Sequence, residues 1–94
     1  MSIEIQHEET ESKGSYFVEV EGKKVGEMTY SKAGTDRIII DHTEIDDSMR
    51  GAGLGKKMVE RAVADTRKKK ISIVPLCPFA RSVFDKNEEL RDVL

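Results

Sequence analysis

The 94-residue sequence has one cysteine, two prolines and no long hydrophobic run, and each shortage excludes a class of protein. A single cysteine cannot form an internal disulfide, so we expect a reducing, cytoplasmic environment. No apolar stretch approaches the roughly 20 residues that a membrane-spanning helix requires. The opening residues, MSIEIQHEETES, lack the basic and apolar regions of a signal peptide. The sequence therefore predicts a soluble protein with no membrane partner.

The chain also lacks the strong positive charge of a general nucleic-acid-binding protein. Its formal net charge is −2, from 16 basic and 18 acidic residues. The basic run RKKK at positions 67–70 and the pair Lys56 and Lys57 are local. They suit a smaller anionic partner, or they form a solvated helix face. We expect no nucleic-acid partner, and the scattered histidines and cysteine predict no metal site.

No internal repeat, low-complexity segment or linker interrupts the chain, so we expect residues 1–94 to form one domain. Its carboxyl end, LRDVL, is apolar enough to allow a weak homodimer as well as a monomer.

Hydrophobic periodicity predicts strands in the first half of the chain and helices later. The predicted strands are SIEIQ (2–6), SYFVEV (15–20), KVGEMTY (24–30), RIIIDHTEI (37–45) and ISIVPL (71–76). The fourth is apolar enough to be buried on both faces. Helical spacing runs from Leu54 to about Lys70, and again over PFARSVFDK (78–86). This β-β-β-β-α-β-α order predicts an α+β fold with a mostly antiparallel sheet, in which a crossover makes the fourth and fifth strands parallel.

Three glycines, Gly51, Gly53 and Gly55, alternate immediately before the first predicted helix. Glycine permits positive φ, and a helix N-terminus presents unpaired N–H groups with a partial positive charge. Together they can hold an anion, above all a phosphate, although glycines also serve tight turns. The spacing excludes a P-loop, which needs glycine at position 50 and Ser or Thr at 57. It also excludes the dinucleotide fingerprint, which needs glycine at 56.

The loop does fit the pattern [QR]xxGx[GA], through Arg50, Gly53 and Gly55. Here the sequence resembles the GNAT superfamily of acyl-CoA-dependent N-acyltransferases, and most of all its small, minimal members. The resemblance implies a truncated GNAT-like fold whose fourth and fifth strands splay around acetyl-CoA. It also implies that the coenzyme A pyrophosphate lies on this loop, with further charge met by Lys56, Lys57 or Arg61. The cofactor-binding residues would then be Ile45, Arg50, Gly51, Ala52, Gly53, Leu54, Gly55 and Lys56.

The segment CPFARSVFDK resembles a second family pattern, N-P-x-A-x-x-x-Y-x-K, through Pro78, Ala80 and Lys86. Phe84 stands where the family often has the tyrosine thought to protonate the departing CoA thiolate, so that role is vacant. Only HEETESKG separates the first two predicted strands, where most members place two helices. We also expect no counterpart of the family's usual last two strands within these 94 residues.

Cys77 and His42 are the candidate catalytic residues. Cys77 precedes a proline-started helix whose dipole favours thiolate, so it could be a nucleophile or an acid–base group, or simply pack in the core. His42 is expected to share a strand face with Ile38 and Ile40. It could deprotonate an amine or partner Cys77, unless it is only a hydrogen-bonded strand-end residue.

Two further residues complete the expectations. Glu44 is an alternative base, and His7 is expected to be exposed without a role. Backbone N–H groups around positions 43–45 would polarise the thioester carbonyl.

The resemblance implies acetyl transfer from acetyl-CoA to an amine acceptor that the sequence does not identify. A protein lysine, a polyamine and a small amine all remain possible. The alternative is a coenzyme A-binding or interaction module with little turnover.

Overall fold

The structure, a computed structural model, describes residues 4–49, 51 and 53–94. Five strands form one sheet in chain order, antiparallel except for the last pair, which is parallel. This arrangement confirms the predicted fold class. The strands are β1 (Gln6–Glu9), β2 (Lys13–Val20), β3 (Lys23–Ala33), β4 (Arg37–Ile45) and β5 (Ser72–Pro75). The helices are α1 (Leu54–Lys69) and α2 (Pro78–Lys86), with 3₁₀ segments at Asp47–Met49 and Glu88–Val93.

Strands β2 to β5 and both helices occupy the predicted segments, but β1 lies a few residues later than SIEIQ. Ser2 and Ile3 of that prediction lie outside the described residues. The observed strand is held by polar side chains with partners on other strands. His7 stacks on Tyr16 of β2, and Glu9 accepts a hydrogen bond from Tyr30 of β3. Alternation of apolar residues does not reveal contacts of this kind.

The core lies between one face of the sheet and the two helices. Helix α1 buries a continuous apolar side, and α2 adds Ala80, Val83 and Phe84 to the same cluster. In β4, Ile38 and Ile40 are buried whereas Ile39 is only partly covered. The prediction that this strand is buried on both faces is therefore wrong, because both helices pack on one side. Within the described residues, neither helix is long and apolar enough to cross a membrane.

A β-bulge interrupts the pairing of β3 with β4. Thr29 pairs with His42 and Tyr30 pairs with Ile40, which leaves Asp41 as an extra residue. An extra residue reverses the alternation of side chains beyond it. Thr43 therefore lies on the helix-covered face that holds Ile40, and His42 lies on the opposite face. The prediction that His42 shares a face with Ile38 and Ile40 is wrong for this reason.

Candidate functional site

A pocket of about 590 Å³ opens where the chain leaves β4, passes the glycine loop and enters α1. Most of the predicted loop residues line it, whereas Arg50 and Ala52 lie outside the described residues. Met49 and Phe79 join the lining without having been predicted. The lining residues are Ile45, Met49, Gly51, Gly53, Leu54, Gly55, Lys56 and Phe79.

The backbone of the loop turns the start of α1 toward this pocket. Gly51 and Gly53 have φ of +83° and +72°, and Gly53 is the N-cap of the helix. A Cβ on either would meet no atom of the described residues within 4 Å, so open space lies beside them. The Lys57 N–H bonds the Gly53 carbonyl, while the N–H groups of residues 54–56 have no preceding turn to bond. The first turn also carries no acidic side chain, so it is suited to an anion.

The third glycine serves a different purpose from the first two. A Cβ on Gly55 would overlap the ring of Phe79, which stands at the start of α2. Glycine at this position therefore lets the two helix N-termini meet closely. Phe79 keeps 41% of its surface exposed and forms one wall of the pocket.

Cys77 is held beside β4 at the point where β4 and β5 separate. The last strand pair is Ile40 with Pro75, after which the N–H groups of Leu76 and Cys77 both donate to the Ile40 carbonyl at 3.1 Å. Beyond that pair β4 continues to Ile45, paired with β3 but no longer with β5. The strands thus part beside Cys77, as the predicted splay requires.

The Cys77 side chain is 6% exposed and is the N-cap of α2. Its S–H donates to the Thr43 hydroxyl oxygen, with 3.4 Å between the two atoms. Burial alone would raise the pKa of this thiol. The Thr43 hydroxyl and the backbone N–H groups of Ala80, Phe79 and Thr43 outweigh that effect and lower the pKa below its ordinary value.

His42 lies on the other face of the sheet, away from this sulfur. Its side chain is 66% exposed, and its Nε2 is 3.6 Å from a carboxylate oxygen of Glu44. Thr43, rather than His42, contacts Cys77. Sequence periodicity missed Thr43 because the bulge that turns it inward leaves no recognisable residue pattern.

Three other residues differ from expectation or clarify it. Arg61 donates to the Ile5 carbonyl and to Asp65 rather than facing the loop. Phe84 is completely buried, so the position of the family tyrosine is a core position in this chain. His7 is half-buried, stacked on Tyr16 with ring centroids 4.3 Å apart, so the prediction that it is exposed is wrong.

A second pocket, of about 410 Å³, lies at the C-terminal end of α1, at the opposite end of that helix from the glycine loop. Several charged groups at this end pair with one another, among them Glu9 with Lys32 and with Lys69. Lys32 and Tyr30 donate hydrogen bonds to Glu9, and these lower the pKa of Glu9 to about 2. Tyr16, whose ring lies against that of Tyr30, donates to Asp65. The polar side chains at this end of the molecule thus bond to one another, and this pocket is separate from the candidate site.

Comparisons with known proteins agree with the geometry. The family model for GCN5-related N-acetyl-transferase matches residues 15–93. A Staphylococcus aureus protein described as GCN5-like is 31% identical, with a TM-score of 0.74 over 96% of this chain and 85% of its own. No match was found among curated proteins.

More distant structures share the fold. A ribosomal-protein-alanine N-acetyltransferase from Brucella melitensis is 17% identical, with a TM-score of 0.69 over 82% of this chain. This chain spans 62% of the length of that enzyme. A predicted acetyltransferase from Clostridium acetobutylicum, solved with acetyl-CoA, is 16% identical with a TM-score of 0.63, over 79% of this chain and 55% of its own.

Proposed function

The chain belongs to the GCN5-related N-acetyltransferase family, and from this membership we propose that it transfers the acetyl group of acetyl-CoA to an amine. The observation that carries the proposal is the pocket at the start of α1. It combines free backbone N–H groups with a wall, Phe79, that lies two residues from the buried thiol of Cys77. The pocket thus contains the proposed anion site, and its Phe79 wall belongs to the helix whose N-cap is the proposed nucleophile, Cys77.

The loop residues fit the pyrophosphate of coenzyme A. The open space beside Gly51 and Gly53 leaves room for phosphate oxygens, and the N–H groups at the start of α1 belong to residues that line the same pocket. Lys56 lines the pocket and is exposed, so its ammonium group is free to approach a phosphate. Arg50 and Ala52 belong to the proposed loop by their place in the sequence, and Ile45 closes the pocket from β4.

Acetyl-CoA supplies an acetyl group already activated as a thioester. In the proposed reaction the Cys77 thiolate bonds the acetyl carbon and displaces the coenzyme A sulfur, which leaves with its electron pair. The amine nitrogen then bonds the same carbon and displaces Cys77, and the surplus amine proton passes to a base. His42 or Glu44, exposed on the outer face of β4, are the proposed bases.

Direct attack of the amine on the thioester is the other route, with the Cys77 thiol protonating the departing sulfur. That role would replace the missing tyrosine at Phe84. The lowered pKa of Cys77 favours the nucleophilic route, because a lowered pKa increases the thiolate fraction and leaves less thiol to act as an acid.

One observation supports a second candidate function. Phe84 is fully buried and has no proton to donate, and a chain without that acid could bind coenzyme A with little turnover. The two functions differ in turnover with amines and agree on ligand binding.

The test is thermal unfolding with acetyl-CoA, with free coenzyme A, ATP and NAD as comparisons. A ligand at about 100 times its dissociation constant adds roughly 2.7 kcal/mol, which raises the midpoint by about 10 to 20 °C in a domain of this size. We expect the shift with acetyl-CoA and coenzyme A only. No shift at saturating ligand would overturn both candidate functions.

A matched pair of variants locates the site. Gly53→Asp places a carboxylate at the proposed phosphate position and should abolish the shift. Gly22→Asp is the control, because Gly22 also has positive φ and open surroundings but lies in the β2–β3 turn and does not line the pocket. Gain of one acetyl mass on Cys77, followed by its loss to added amine, would identify the enzyme. Binding without consumption of acetyl-CoA by any amine would identify the binding module.

A further inference from the structure

We propose that Thr43 is a positioning residue for Cys77, holding the sulfur in place and donating a hydrogen bond to it once the thiol has lost its proton. The importance of Cys77 rests on the proposed function. The effect of Thr43 on the sulfur is a property of the folded chain that needs neither acetyl-CoA nor an amine. The two ideas can therefore fail independently.

The β-bulge in β4 brings Thr43 to the sulfur. The extra residue Asp41 shifts the register, so that Thr43 pairs with Met28, whose side chain is fully buried on the helix-covered face. With regular alternation, position 42 would occupy that face and its imidazole would lie toward the core. The bulge instead presents a short, uncharged hydroxyl at the end of the separated strands.

The geometry suits both protonation states of the thiol. In the neutral state the Cys77 S–H donates to Thr43 Oγ1, at 3.4 Å between heavy atoms. A threonine hydroxyl is both donor and acceptor, so its hydrogen can turn toward a thiolate and donate to it while the oxygen stays in place. The sulfur thus keeps one partner in one position before and after it loses its proton.

The groups with the largest effects on this sulfur are uncharged. Besides the Thr43 hydroxyl they are the backbone N–H groups of Ala80 and Phe79 from α2 and of Thr43 from β4. The titratable pair on the same strand, His42 and Glu44, faces the opposite side of the sheet. Removal of one hydroxyl should therefore have a measurable effect.

The experiment is a pH titration of Cys77 by the ultraviolet absorbance of its thiolate, with Cys77→Ser as the blank. Cys77 is the only cysteine in the chain, so the signal is unambiguous. Thr43→Val removes the hydroxyl and keeps the shape of the side chain, whereas Thr43→Ser keeps the hydroxyl. We expect the midpoint to rise by about half to one pH unit in Thr43→Val, a loss of about three- to tenfold in the thiolate-to-thiol ratio at a given pH. Thr43→Ser should stay close to wild type.

Two controls separate this effect from others. Thr29→Val makes the same change on the outer face of β3, opposite His42, and should leave the midpoint unchanged. His42→Ala should also leave it unchanged, because the imidazole does not face the sulfur. If Thr43→Val is poorly folded, Thr43→Ala provides the same comparison with less crowding.

A wild-type midpoint in the hydroxyl-free variants, or an equal rise in Thr43→Ser, would overturn the proposal. So would an equal rise in Thr29→Val. If the chain transfers acetyl groups, Thr43→Val should also slow acetylation of Cys77 by a similar factor while keeping the thermal shift with coenzyme A. If the wild-type protein shows no thermal shift with coenzyme A, the proposed function is overturned, but the titration result for Thr43 and Cys77 is unaffected.

Discussion

The contact between Gly55 and Phe79 provides the sharpest test of how the pocket is built. Gly55 is the second residue of α1, where alanine is intrinsically better than glycine by about 0.5 to 1 kcal/mol. In this structure, however, the alanine Cβ would overlap the Phe79 ring. Overpacking of this kind costs about 1 to 3 kcal/mol. We therefore expect Gly55→Ala to lower the free energy of unfolding by between about 0 and 2.5 kcal/mol, which is the overpacking cost less the helix gain.

The same substitution should have the opposite sign once the ring is absent. A Phe79→Ala background removes the three atoms nearest to the added Cβ, so Gly55→Ala should stabilise the protein by about 0.5 to 1 kcal/mol. The double-mutant cycle should then give a coupling energy of about 1 to 3 kcal/mol.

The assay is urea unfolding of the four proteins, with attention to midpoint and slope. An equal slope in all four would show that the substitutions act on stability alone. The reasoning is refuted if Gly55→Ala has the same effect in both backgrounds, within the roughly 0.3 to 0.5 kcal/mol typical of independent sites. The ring would then not lie on the glycine, and the pocket would lack the wall described above.

Two further predictions concern backbone strain and pH. Gly53→Ala places a Cβ on a residue with φ +72°, which costs about 1 to 2 kcal/mol, and each kcal/mol lowers the thermal unfolding midpoint by about 4 to 8 °C. Gly53→Asn should lower the midpoint less, because asparagine tolerates positive φ better than alanine. An unchanged midpoint in Gly53→Ala would contradict the left-handed N-cap. Hydrogen bonds from Lys32 and Tyr30 lower the pKa of folded Glu9 from 4.5 to about 2, so its contribution to stability is complete above pH 4.5 and is lost as the pH falls toward 2. Urea unfolding across this range should show that Glu9→Gln is less stable than wild type at neutral pH and that the difference shrinks at low pH; a constant difference would argue against the Glu9 network.

Much of the fold follows from local patterns in the sequence. The β-branched run of β4 and the helical spacing after Leu54 each dominate their segments, so their predicted bounds agree with the structure. β1 is the exception, because its polar residues find their partners across the sheet. His7 packs on Tyr16 and Glu9 binds Tyr30, and no pattern within residues 2–9 indicates either contact.

In the candidate site, too, some features are local in the sequence and others depend on contacts between distant segments. The positive φ of Gly53 and the start of α1 are local features, so the spacing of the glycines predicted them. The contact of Phe79 with Gly55 is not local, because it exists only after α1 and β5 return the chain to the same end of the sheet. The proline at the start of α2 predicted the helix but not the surface on which its first aromatic residue packs.

The bulge at Asp41 has the greatest consequence for chemistry and was the least predictable feature. Its carboxylate accepts a hydrogen bond of 2.7 Å from Ser31 on the outer face of the sheet, which fixes the extra residue there. Every side chain after it changes face, so Thr43 meets Cys77 while His42 points away. In the proposed reaction the thiol therefore works from the helix side of β4 and the base from the open side. In a regular strand without the bulge, the imidazole would lie on the same face as the thiol, and one face of β4 would carry both the nucleophile and the base.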